Sequence, residues 1–139
     1  MAEVPSDFHD VVCGLLVSSG QVLLVHRTAS RLWAPGRWDA PGGHVEGEET
    51  DGDALSRELA EELGVTFDAG DARLVGRLTG ADYDARVFLL DSWSGEPENR
   101  APHEHDELAW FGEAQLSSLL LADDDLLPIM LHQLRRLNP

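Results

Sequence analysis

Lysine is absent from this sequence, cysteine occurs once, and cationic side chains of any kind are scarce. No apolar run approaches the ~20 residues that a membrane-spanning helix needs. The single cysteine, Cys13, cannot close an internal disulfide, so a reducing cytoplasm is the expected compartment. Cys13 lies in an apolar run and reads as a small buried hydrophobe rather than a nucleophile. Residues 1–7 carry neither the basic nor the apolar region of a secretory leader. All ten cationic residues are arginines, set against 26 acids, for a formal net charge of −16. That field disfavours sequence-independent binding to nucleic acid, which works by neutralising phosphates. It also disfavours small polyphosphates unless a cation compensates locally. Any side chain that meets phosphate directly must be Arg or His, and Arg can do so with two parallel bonds.

What is present is a chain of ordinary globular composition, 42% hydrophobic and 26% charged. It is long enough to bury a core as one domain over residues 1–139. Apolar runs at 8–17 and 21–27 predict two strands joined by a turn at Ser18-Ser19-Gly20. A loop rich in Trp, Pro and Gly, residues 32–43, precedes the clearest helix, 51–63, which Thr50 and Asp53 open and Gly64 closes. Strands are predicted near 72–79 and 85–93, a polar loop over 97–106, a short strand at 109–111 and a helical turn within 113–121. A final helix is predicted from Asp123 to about Leu137, with acids at its start and Arg135-Arg136 at its end to suit the helix dipole. The order β-β-α-β-β-α predicts one mixed α/β domain.

The helix at 51–63 carries the chemistry. At about 100° per residue, Leu55, Leu59 and Leu63 form one stripe, suited to packing on a sheet. Glu58, Glu61 and Glu62 share the neighbouring face, within an arc of roughly 100°. Like charges one turn apart, as in Glu58 and Glu62, repel on a bare helix, and a cation between them removes that cost. Oxygen ligands on one rigid element suit Mg²⁺ or Mn²⁺. Taken alone, the three glutamates are better explained as a solvated acidic face. Their surroundings change that. Pro41-Gly42-Gly43 lets the backbone turn sharply and approach a ligand closely, and Arg57 stands one turn from Glu61.

Gly43, five residues, Glu49, seven residues, and then Arg57-Glu58-Leu59-Ala60-Glu61-Glu62-Leu63-Gly64-Val65 resembles the Nudix box, with every defining position filled. The resemblance implies an α/β/α sandwich around a mixed β-sheet. It also implies a divalent-metal-dependent pyrophosphohydrolase that splits a nucleoside diphosphate linked to another group, by water attack on phosphorus. Glu58, Glu61 and Glu62 would be metal ligands, with the carbonyl of Gly42 a further one, for Mg²⁺ or Mn²⁺. Arg57 and Glu49 would be orienting residues. The family does not place its general base at one position, so Glu61 in the box stays open beside Glu104 and Glu107 in the loop ahead of Trp110. His103 and His105 are candidates for phosphate contact, with surface positions the simpler expectation.

For the substrate, Arg27 resembles the Arg that follows the second strand in many family members and is expected at phosphate, as are Gly43 and Arg37; Arg31 could do the same. Trp38 or Trp33 could stack on a base or sugar, and Trp38 could equally pack beneath its loop. Asp125, in the run Asp123-Asp124-Asp125, sits where MutT-like members keep a base-reading polar residue, although helix capping also explains those aspartates. No proline occurs between Val65 and Glu96, unlike the ADP-ribose hydrolases, and the upstream pattern of coenzyme A hydrolases is broken at Val25, Leu32 and Ala40. A MutT-like nucleoside triphosphate hydrolase remains, with sanitising of damaged or non-standard nucleotides as the expected role. A nucleotide sugar or other dinucleotide-type compound is the alternative substrate. The competitor from another class is a non-catalytic nucleotide-sensing module, against which the intact box speaks. The expected partner is a small-molecule nucleotide, with no nucleic acid and no membrane, and a homodimer is a family habit.

Overall fold

The computed structural model describes residues 8–137, so the expectation about residues 1–7 falls outside it. Strand β1 (His9–Ser18) is apolar on both faces, with Val12 and Leu16 turned one way and Cys13, Leu15 and Val17 the other. That is the pattern of a strand covered on both sides. Ser19 and Gly20, at φ 53° and 75°, turn the chain into β2 (Gln21–Arg27). The two strands pair only at Val17–Val22 and Ser18–Gln21, and then diverge.

The edge of β1 that β2 leaves free is taken by β4 (Gly42–His44), paired at Val11, Val12 and Cys13. The opposite edge of β1 runs parallel to β6 (Tyr83–Leu90), which in turn pairs with antiparallel β5 (Arg73–Thr79). Strand β2 lies between two antiparallel neighbours, β3 (Trp38–Asp39) and β7 (His105–Gly112). A Cβ on Gly42 would collide with the Val12 carbonyl oxygen, so the pairing of β4 with β1 requires glycine there.

Helix α1 (Asp51–Leu63) covers one face, burying Leu55, Leu59 and Leu63 against Val12, Leu16 and Leu23. Thr50 Oγ1 caps it by accepting from the Asp53 amide at 3.1 Å, and Gly64 ends it at φ 72°. The other face is covered by α2 (Glu113–Leu116) and α3 (Leu126–Leu137), which bury Leu116, Leu126, Met130 and Leu134. The result is the expected α/β/α sandwich around a mixed sheet.

Three expectations need correction. The loop at 32–43 contains β3 and β4, whose Trp, Asp and Gly carry no apolar alternation; their pairing partners on β1 and β2 make them strands. Strand β7 begins at His105 rather than near Ala109, because its polar first half is paired to the end of β2. Helix α3 begins at Leu126, since Asp123 turns back on itself and accepts the Asp125 amide at 2.9 Å. Replacing Gly42 with Ala is expected to cost about 3 kcal/mol of stability, read as a lower urea midpoint; an unchanged midpoint would contradict the close approach of β4 to β1.

Candidate active site

Where β1 and β2 part, a cleft of about 420 Å³ opens between them. Its acidic end is built by α1. Glu62 lies only about 20° around the helix from Leu55, and Glu58 about 60°, so both follow the apolar stripe into the cleft, while Glu61 lies farther round. Glu62 is only 4% exposed, and both it and Glu58 line the cleft. Gly43 packs so closely on Glu58 that a Cβ would collide with its carboxyl group. From the turn before β7 and its first residue come Glu104 and His105, and one ligand atom each from Glu62, Glu104 and His105 all lie within 4.8 Å of one another.

Arg57 ties the loop after β4 to the helix. Its Nε and Nη2 donate to the two oxygens of Glu49 at 2.9 and 3.0 Å, Nη2 also donates to the His44 carbonyl at 2.9 Å, and Nη1 donates to Glu58 at 2.9 Å. The Arg57 hydrogen bonds hold the Glu49 carboxyl down to about 2. Glu62 has the reverse environment. Burial raises its carboxyl well above the usual range, and Glu58 and Glu104 add to the effect. Its Oε2 has no hydrogen-bond partner, and neither has Nδ1 of His105; these are the two buried side-chain atoms so placed among the described residues. A buried carboxylate facing two more carboxylates and no paired guanidinium fits a divalent cation, with Glu58, Glu62 and Glu104 as the oxygen donors.

The other end of the cleft is aromatic and mixed in charge. Arg27, 8% exposed, donates from Nε to the Trp33 carbonyl at 2.8 Å and lies 4.9 Å from the Trp33 ring centroid. Arg31 donates to the Glu104 carbonyl at 3.3 Å. Tyr83 donates to the Asp123 carboxylate, and the Trp33 and Tyr83 rings stand 6.1 Å apart. Burial lifts the Asp39 carboxyl to about 6, with nearby Arg27 opposing. Cys13 lies on the floor, and burial pushes its thiol up, away from nucleophilic use.

The structure thus brings together Arg27, Gly42, Gly43, Glu58, Glu62 and Glu104. Seven other candidates do not line the cleft, two of them the Glu49 and Arg57 clamp just described. Glu61 is exposed, 3.5 Å from Arg57. Glu107 is exposed on β7. Arg37 donates to the Leu121 carbonyl at 3.2 Å. Trp38 is wedged edge-on between His26 and Phe111, both at 4.9 Å, and so packs beneath its loop. Asp125 is exposed in the turn before α3, while Asp123 lines the cleft in its place. The residues that sequence reasoning missed are Asp39, Tyr83 and the buried state of His105. A polar residue one step after Trp38 was the available signal for Asp39.

The NUDIX domain profile matches residues 7–133. The chain belongs to the Nudix family. This Nudix hydrolase is 40% identical to a Mycobacterium tuberculosis protein provisionally named 8-oxo-dGTP diphosphatase 2, over 76% of this chain and 74% of that one. It is 31% identical to the CTP pyrophosphohydrolase of Escherichia coli, over 84% and 85% of the two chains. Among solved structures, the MutT NUDIX hydrolase from Burkholderia pseudomallei superposes with a TM-score of 0.74 at 30% identity, covering 90% of this chain and 96% of the other. The fold is that of MutT-like members.

Replacing Arg57 with Lys keeps the charge but loses the two-pronged bond to Glu49 and the tie to His44. We expect this Nudix hydrolase to lose about tenfold or more in kcat with its helix content intact. Full activity in Arg57→Lys would contradict the orienting role.

Proposed function

We propose that the chain is a cytoplasmic pyrophosphohydrolase of nucleoside triphosphates, dependent on Mg²⁺ or Mn²⁺ held by Glu58, Glu62 and Glu104. The observation that carries this is Glu62, a buried carboxylate whose Oε2 has no partner, in a cleft wide enough for a nucleotide. The two relatives named above act on triphosphates by name and differ in the base, so the triphosphate is the shared feature. No helix among the described residues is long and apolar enough to cross a membrane.

The phosphates lie at the acidic end and the nucleoside at the aromatic end, beside Trp33 and Tyr83. A cation bound there supplies charge neutralisation at the scissile phosphates and acidifies water enough for attack at neutral pH. Arg27 and Arg31, the guanidiniums of the cleft, bridge its two ends, Arg31 bonded to the Glu104 carbonyl and Arg27 to the Trp33 carbonyl, and meet the phosphates. Glu104, half-buried and a member of the cluster, would hold the cation through one carboxylate oxygen and take the proton of the attacking water on the other. The oxygen of that water joins phosphorus, the P–O–P bond breaks, and a nucleoside monophosphate and pyrophosphate leave. Arg57 and Glu49 act through Glu58 and the loop after β4, holding both in place.

Product analysis with ordinary and oxidised nucleoside triphosphates in Mg²⁺ or Mn²⁺ tests this directly. Monophosphate plus pyrophosphate is expected. Nucleoside diphosphate plus orthophosphate, or turnover of nucleotide sugars alone, would overturn the proposal. Because Glu104 lines the cleft and Glu107 does not, Glu104→Gln should lower kcat by about tenfold or more and Glu107→Gln by less than about twofold. The reverse ranking would move the base to Glu107.

A further inference from the structure

We infer that His105 lends an imidazole nitrogen to the divalent-cation centre, making it a mixed nitrogen and oxygen site that favours transition-metal ions over Mg²⁺. The inference rests on the proposal that the cluster holds a cation. His105 is the first residue of β7 and only 4% exposed. Both of its backbone groups are engaged: the amide donates to the Ala101 carbonyl at 2.9 Å, and the carbonyl accepts from Asn99 Nδ2 at 2.7 Å. The residue is therefore fixed where it stands, in register with Arg27 on β2.

The ring does not hydrogen-bond to its acidic neighbour. Its Nε2 is 3.5 Å from Glu62 Oε1, well beyond the ~2.9 Å of a good N–H···O bond. Two atoms that each sit ~2.1 Å from one cation stand about 3.0 to 3.4 Å apart, from octahedral to tetrahedral geometry. At 3.5 Å the pair stands just past the wide, tetrahedral end of that range. Buried polar atoms without partners are few in native proteins and call for explanation. Here Oε2 of Glu62 and Nδ1 of His105 are such atoms, and their two residues each bring one ligand atom within 4.8 Å of one from Glu104. An imidazole nitrogen adds little affinity for Mg²⁺, which prefers oxygen, and raises affinity along the series from Mn²⁺ to Co²⁺ and beyond.

The test reads metal binding without substrate. Pulsed EPR of Mn²⁺ bound to protein carrying ¹⁵N-labelled histidine should show a histidine nitrogen coupling. The coupling should persist when the exposed His9, His44 and His103 are together replaced by Gln, and vanish in His105→Gln. By calorimetry, His105→Gln should weaken Co²⁺ binding about tenfold or more while Mg²⁺ binding changes by less than about twofold. Binding of Mn²⁺ with no histidine coupling, or loss of the coupling in the triple variant, would overturn the role of His105 and leave the oxygen ligands standing. Equal weakening of both metals would also overturn it. Binding of neither metal would overturn the cation proposal itself. Should His105→Gln fail to fold, a variant that also replaces His26 and His132, leaving His105 as the one histidine, decides: a retained coupling supports the role and its loss overturns it.

Discussion

Glu62 has been taken out of water and given no partner for one of its oxygens. Desolvating a carboxylate costs several kcal/mol unless hydrogen bonds or an opposite charge replace the lost water. Two more carboxylates, Glu58 and Glu104, make that cost larger. The neighbouring guanidinium gives no relief, because Arg57 is engaged by Glu49, Glu58 and the His44 carbonyl. The arrangement makes sense as a socket for positive charge that arrives from outside the chain. In a protein of net charge −16, that charge is also what allows an anionic polyphosphate to approach.

The fold supplies the socket by a sharing of edges. Strand β1 gives Val11 to Cys13 of one edge to β4 and the end of it to β2, and the divergence of β1 from β2 leaves the cleft. Gly42 lets β4 press against β1, and Gly43 lets the same strand lie on Glu58. Helix α1 sets the phase of the glutamates, with its leucine stripe buried on the sheet. The core and the site therefore depend on one rotation of one helix. Any change that turned α1 by a residue would expose the stripe and withdraw Glu62 together.

Much of this was legible in the sequence. The hairpin, the helix with its Thr50 cap and Gly64 stop, and the box spacing rest on local rules, and these elements appear within a residue of their expected positions. The finer placement was not legible. Spacing put Glu58, Glu61 and Glu62 in one arc, but only packing shows that the arc is split between cleft and solvent. Trp38 and Trp33 look alike in the sequence; partners from distant strands wedge the first and leave the second at the cleft. His105 reads as a loop residue until β7 is seen to begin with it. Asp39 lies on a two-residue strand that has no periodicity to detect.

Burial of Glu62 costs stability that a divalent cation returns. Thermal unfolding of the wild type and Glu62→Gln, each with and without Mg²⁺ or Mn²⁺, tests it most directly. A ligand at free concentration c that binds the native state alone stabilises it by RT ln(1 + c/Kd) and so raises the melting temperature as its concentration rises. The metal-free variant should melt above the metal-free wild type, because a buried charge has been removed, and should not respond to metal. The wild type should gain stability with metal. A metal-free variant that melts lower than the wild type yet still gains stability with Mg²⁺ would contradict the account.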